Sequence, residues 1–529
     1  MEKFLKFFAV ALVIFTAVAC EKNEVLPNEN FEKNSVTLTA FVADEETKTS
    51  FVKNGGSYMT YWSTDDKIAV IQDGVIYEFT LEEGAGSNRG TFRGNNVREF
   101  DITKQFIAFY PFESVQIVEG RIKYIPSATD NRRVFAEEGL GDQVLPIAAI
   151  VKNYSNSFNF VNMYAILKLN VKGALEEAVT SIHIGSNSIR LYGEATLNTE
   201  TGTPQLSRKN DSYPTNIVLD CQEGVGIGGD GKSFFIALPP TGNELSKYGI
   251  LINTTEGSYY MPTASGNFFA GNIVSLDVDL ESGSPKSRAA LSVGYSEDGT
   301  NYGNGVLIGK TLWAPVNCGY KPEEGSNKGY PYGKLYQWGR KYGNGYDNTD
   351  ASFPTANTTN PPSASSQSPG DDFYTYWGTL FESNQYNYND YRTAWNDATK
   401  KFNNVPCPEG WEVPTLDDAR ALCNGNKSGF TEKDDQKGYW FSGDKEFVQE
   451  KLDDSVFFPA AGQLGQEWSN YKAKGRGTIG CYWTSSYNGY ASTLNFDSNQ
   501  VRVSTDYGTV YYGNSVRCVK SRKWTSTLE

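Results

Sequence analysis

The stretch Val274-Ser275-Leu276-Asp277-Val278-Asp279-Leu280 puts an apolar side chain at every second position. Such a period suits an extended strand with one buried face and does not suit a helix. The same period recurs upstream. Val36, Leu38, Ala40 and Val42 alternate with Thr37, Thr39 and Phe41, and Tyr77 to Leu81 and Ala165 to Val171 repeat the pattern. No useful length of helical periodicity interrupts residues 35–280. Tyr and Phe, at 33 and 30 of 529 residues, fall in short runs broken by Gly, Asn and Asp, so the chain reads as mainly β. Roughly 245 residues is long for one sandwich and suits two in tandem. A break near Asn162 to Leu169 divides them into 35–165 and 166–280.

Charge and histidine narrow the function classes. Lys and Arg number 48 against 62 Asp and Glu, a formal charge of -14. Nucleic acid is therefore a poor partner, since binding it takes clustered cations. The single histidine, His183, sits in Ser181-Ile182-His183-Ile184. Ile182 and Ile184 share one strand face, so His183 is expected on the other, in solvent. One histidine leaves little support for Ser-His-Asp or Cys-His catalysis, or for a histidine zinc site. No catalytic residue, metal site or cofactor is expected.

The first twenty residues combine a charged start (Glu2, Lys3, Lys6) with an apolar stretch from Phe7 to Ala19. That is the build of a secretory signal, too short for a comfortable membrane span. Ala17-Val18-Ala19-Cys20 resembles a bacterial lipobox, which implies lipidation at Cys20. Residues 21–34 are a polar, Asn-rich tether. The expected location is the outer membrane of a diderm bacterium, surface-exposed on a lipid anchor.

An ordered series of motifs then spans residues 35–280. Thr47-Lys48-Thr49-Ser50-Phe51 is followed by Tyr61-Trp62-Ser63 and Ala108-Phe109-Tyr110-Pro111-Phe112. Next come Ile125-Pro126, Phe158-Asn159-Phe160, Leu167-Lys168-Leu169 and Leu191-Tyr192-Gly193. The series resembles the fimbrillin family of lipoprotein pilins and accessory subunits. The resemblance implies two transthyretin-like β-sandwiches, subunits joined by donor-strand exchange, and a protease that removes the first strand. Here that strand is Val36 to Val42, and Lys48 matches the processing position, where the family usually has Arg. Cys221, without a nearby partner in sequence, is expected to be a buried thiol.

Residues 281–290 form a polar linker beginning Glu281-Ser282-Gly283-Ser284-Pro285, and the composition beyond it shifts to Tyr, Trp, Gly and Asn. Thr415 followed by Asp418 predicts a capped helix from Leu416 to about Cys423. Three motif groups carry a second resemblance. They are Leu312-Trp313-Ala314-Pro315-Val316-Asn317-Cys318 with Tyr332 to Gly339, Cys407 to Thr415, and Phe458 to Gly462 with Tyr482 to Ser486 and Ser515 to Val519. They look like the FISUMP (Fib_succ_major) domain over residues 291–521, with 522–529 a tail. The resemblance implies an α+β fold similar to C-type lectin-like domains and a Cys407–Cys518 disulfide. Cys318, Cys423 and Cys481 have no assigned partners.

Trp395-Asn396-Asp397 spells a triplet that holds Ca²⁺ in sugar-binding lectins, but its position is wrong and the companion oxygens are missing. Oxidase chemistry on a related fold finds no cysteine pair in a cationic setting. Surface aromatics remain: Tyr374, Tyr376, Trp377 and Tyr388 after the polar loop 347–370, and Trp468 and Tyr471 with Arg476 in the loop 464–480. Rings stack on sugars and amides bond hydroxyls, so these are ligand-binding candidates for a host or bacterial glycan or protein. The whole reads as a non-enzymatic adhesin of a fimbrium, at its tip or as an accessory subunit. The alternative is a surface glycan-binding lipoprotein outside any pilus.

Overall fold

The computed structural model describes residues 35–281, 302–341 and 405–520, with breaks of ten residues or fewer, together with Gly343 and Trp395. Cys20, Lys48, Tyr374, Tyr376, Trp377, Tyr388 and Trp468 lie outside the described residues, as do most of the linker and the tail.

Alternation becomes a closed surface in the first group of strands. Ser35–Val42, Ser157–Asn162, Ile147–Val151, Phe106–Tyr110, Lys67–Gln72, Val75–Glu83 and Arg89–Asn95 follow one another around a barrel. The sequence reading expected a β-sandwich over residues 35–165. The difference comes from Ser35–Val42, which pairs antiparallel with Arg89–Asn95 and parallel with Ser157–Asn162. One strand thereby joins both edges. Leu38, Ala40, Val42, Ile68, Val70, Phe79, Phe92 and Phe160 fill the interior around Trp62. Trp62 meets Phe92 edge-on, with ring centroids 4.8 Å apart. Gly90 and Gly94 flank Phe92 on the inward face, where a Cβ would come within 2.8 Å of the Trp62 ring or 2.7 Å of the Phe79 ring. The missing side chains make room for the rings.

The second group is two facing sheets. One runs Arg132–Val134, Thr215–Gly226, Ala178–Ser186, Tyr248–Thr254, Ser258–Met261, and the other Lys232–Leu238, Ala165–Lys172, Ile273–Asp279. Leu167, Leu169 and Val171 from one meet Ile182, Ile184, Ile217 and Ile250 from the other in a shared core. The strictly alternating Ile273–Asp279 is an edge strand, with Val274 and Leu276 only half-buried against that core. The groups interleave across position 165. Arg132–Val134 joins the second group, while Ala195–Asn198 pairs back onto Arg121–Tyr124. A sequence period specifies faces and not partners, so these crossings are invisible to it.

Among the described residues beyond the linker, several sheets accompany the helix Leu416–Asn424. Thr415 caps it: its Oγ1 accepts from Asp418 N at 3.2 Å, and Asp418 Oδ2 accepts from Thr415 N at 2.9 Å. Arg517 is the centre of this region. Its buried guanidinium donates to Asn317 Oδ1, Ala314 O and Phe457 O at 2.8–2.9 Å, and lies 4.4 Å from the Phe458 ring centroid. Asn317 also donates to Tyr482 Oη, which in turn donates to Pro459 O. The first and third motif groups thus converge on one cation. Cys407 and Cys518 form a disulfide across 111 positions. Cys318, Cys423 and Cys481 stand outside this disulfide, and so does buried Cys221, whose pKa burial pushes up to about 12.

Candidate functional site

Two places stand out, and the first is the closing strand of the barrel. Ser35–Val42 aligns seven residue pairs with Arg89–Asn95 and four with Ser157–Asn162. Leu38, Ala40 and Val42 point inward and are almost fully buried. Without this strand, two edges would carry unpaired N–H and C=O groups above a groove with vacant apolar positions. An edge of that kind is a template for another strand.

The second place is a cleft of about 880 Å³ between the second group of strands and the C-terminal region. Both sides are held in register by buried polar contacts. Asn216, on Thr215–Gly226, donates to Leu307 O and accepts from Gly309 N, both at 2.7 Å. Tyr260 donates to Lys310 O at 2.7 Å, and Asn187 Oδ1 accepts from Lys310 N at 3.0 Å. Leu251 and Tyr260 pack with Leu307 and Leu312 in one cluster, so the apolar core runs through the interface.

His183 sits in the cleft wall. The sequence reading put it in solvent; it is 8% exposed, because the C-terminal region covers that strand face. Its Nδ1 lies 3.3 Å from Asp454 Oδ1, and its Nε2 lies 2.9 Å from Ser181 Oγ. Asp454 Oδ2 accepts from Arg132. Ser181 Oγ accepts from Asn253 Nδ2 at 3.0 Å, and Asn253 Oδ1 accepts from Ser258 at 2.7 Å. With Nδ1–H donating to Asp454, Nε2 is free to accept the Ser181 hydroxyl.

The residue types match a nucleophile, base and acid, but the electrostatics do not. Burial first, and then the Arg132 charge, push the imidazole pKa down to about 4, against a weaker opposite pull from Asp220. So weak a base takes little of a serine proton at neutral pH. Arg132 also takes up the Asp454 charge that would stabilise an imidazolium. The series holds position rather than activating Ser181.

Of the sequence-derived ligand candidates only Tyr471 and Arg476 fall among the described residues, and neither lines this cleft. Tyr471 lies on Asn470–Lys474, paired with Gln463–Glu467. The Arg476 guanidinium stands 4.7 Å from the Tyr332 ring centroid, packed on the protein's own surface. Trp395 is buried, with its ring 5.4 Å from that of Trp338 and its Nε1 donating to Arg340 O. The cleft residues Arg132, His183, Asn253 and Asp454 were missed as a group because they come from four separate strands or loops. The one available signal was Ser181 and His183 sharing a strand face at a spacing of two.

No family model matches the chain, and no curated protein matches it. Solved structures with some likeness include one described as a "putative cell adhesion protein" from Bacteroides ovatus, 17% identical, with 48% of this chain and 94% of that one covered at a TM-score of 0.32. The tip fimbrial protein Mfa3 from Porphyromonas gingivalis, with a C-terminal truncation, is 12% identical over 44% of this chain and 83% of that one, at a TM-score of 0.22. A fimbrial protein from Bacteroides ovatus is 10% identical over 91% of this chain and 98% of that one, also at 0.22. These TM-scores are low, and the likeness fixes neither the fold nor the role of this chain.

Proposed function

We propose that this protein is a non-enzymatic subunit of a surface fibre, a fimbrial adhesin that accepts a donor strand in its first barrel. The carrying observation is the double pairing of Ser35–Val42, the strand that comes first among the described residues. A strand bonded along both edges, with Leu38, Ala40 and Val42 inward, leaves a long groove when it goes. Its sequence position lets a single cut behind it, at a residue such as Lys48, free it from the barrel. A strand of the same alternation from a neighbouring subunit would restore both ladders and the apolar contacts.

In this reading Cys20 carries the lipid anchor, and the C-terminal region is a lectin-like module that meets a glycan or protein through its aromatic loops. Ile273–Asp279 stays paired with Ala165–Lys172 and leads into that module. It is therefore poorly placed to be handed on, which favours a tip or accessory position.

The test is limited proteolysis with a trypsin-like enzyme, followed by addition of a peptide of sequence SVTLTAFV, residues 35–42. Loss of the N-terminal segment should lower the melting temperature of the barrel, and the peptide should restore it. A barrel equally stable without the strand, or indifferent to the peptide, would overturn the proposal.

A further inference from the structure

We infer that the junction between the second group of strands and the C-terminal region is an acid-releasable joint, latched by His183 and Arg132 on one side and Asp454 on the other. The latch is built from elements far apart in the chain: Arg132 and Asp454 are 322 positions apart. Asp454 is buried at the start of Ser455–Pro459, and Ser442 also donates to its backbone oxygen at 3.2 Å. One carboxylate therefore receives a guanidinium and an imidazole from the opposite face of the interface. Ser181, Asn253 and Ser258 fix the imidazole's other nitrogen through three consecutive bonds.

Proton linkage gives the joint its direction. The groups facing His183 are Arg132 on Arg132–Val134, Asp220 on Thr215–Gly226, and Asp454. The neighbouring positions on Tyr248–Thr254 and Val306–Ile308 (Leu251, Asn253, Val306 and Leu307) are uncharged, and Glu256 and Lys433 stand at the cleft rim. Burial and Arg132 hold the imidazole's pKa near 4, while an exposed histidine titrates near its ordinary 6.5. The docked state then binds fewer protons than the released state. Docking is complete in strength above pH 6.5, weakens as pH falls below it, and levels off once pH passes below 4. The opposite sign would need a docked pKa above 6.5. Between pH 7.5 and 4.5 the docking equilibrium should fall by about 50- to 100-fold. The consequence is a terminal region held in one orientation at neutral pH and freed to turn in acid.

The chain has a single histidine, so its imidazole signal in NMR belongs to His183 without assignment. In the full chain that signal should titrate with a midpoint below about 5. Hydrogen exchange at the two sides of the joint, residues 178–186 and 306–313, should accelerate between pH 7.5 and 4.5 after correction for the intrinsic rate, while the barrel strands stay protected. H183Q keeps a neutral donor toward Asp454 and should flatten the exchange profile over that range. A midpoint near 6.5, or equal acid loss in wild type and H183Q, would overturn the inference. If H183Q does not fold, the wild-type midpoint and exchange profile still decide.

Discussion

At the scale of single residues, the C-terminal region depends on Arg517. A guanidinium in the interior is tolerable only when its N–H groups meet acceptors, and three reach oxygens at 2.8–2.9 Å. Burial, against an opposite pull from Tyr482, leaves its pKa lowered to about 10, which still keeps it charged at neutral pH. Replacing Arg517 with Met would strand Asn317, Ala314 O and Phe457 O without their donor. We expect a loss of about 3 kcal/mol or more in urea denaturation. Arg517→Lys, with charge but no planar fork, should recover less than half of it. The residue was visible in the sequence only as part of Ser515-Val516-Arg517-Cys518. Its convergence with Asn317 and Phe457 is a fact of three dimensions, as is the burial of His183. A residue's own strand says which face it takes, and the element that covers the face lies elsewhere in the chain.

Among elements, legibility followed locality. The helix Leu416–Asn424 was readable because its cap, Thr415 with Asp418, is complete within four residues. Thr415→Ala should cost about 1 kcal/mol, measured by chemical denaturation, as other N-caps do. Strand faces were readable for the same reason. Pairing was not: parallel partners such as Ser35–Val42 with Ser157–Asn162 carry no turn signal between them. The closing strand gives a second check at this scale. Leu38→Ala removes a fully buried side chain from the barrel and should lower stability by about 2–5 kcal/mol. If strand exchange operates, the same change placed in the added peptide should weaken its capture correspondingly.

For the molecule as a whole, the described residues form a β-rich assembly whose parts share cores and buried bonds instead of hanging on linkers. The Cys407–Cys518 disulfide closes a loop with a sequence separation of 111. Changing both cysteines to serine should cost about 4 to 5 kcal/mol in the loop-entropy model, read as a lower melting temperature for the C-terminal region with the barrel transition unmoved.

The parallel pair formed by Ala165–Lys172 and Ile273–Asp279 has a mechanical meaning. The chain enters the first of these strands from the barrel and leaves the second toward the C-terminal region. Seven residue pairs, closed by the Lys172–Asp279 ion pair at 3.2 Å, align them. Tension between the two ends of the molecule pulls the strands past each other along their length. The load is shared across the whole register at once and does not open it bond by bond. A body held at one end and dragged at the other meets this register in shear.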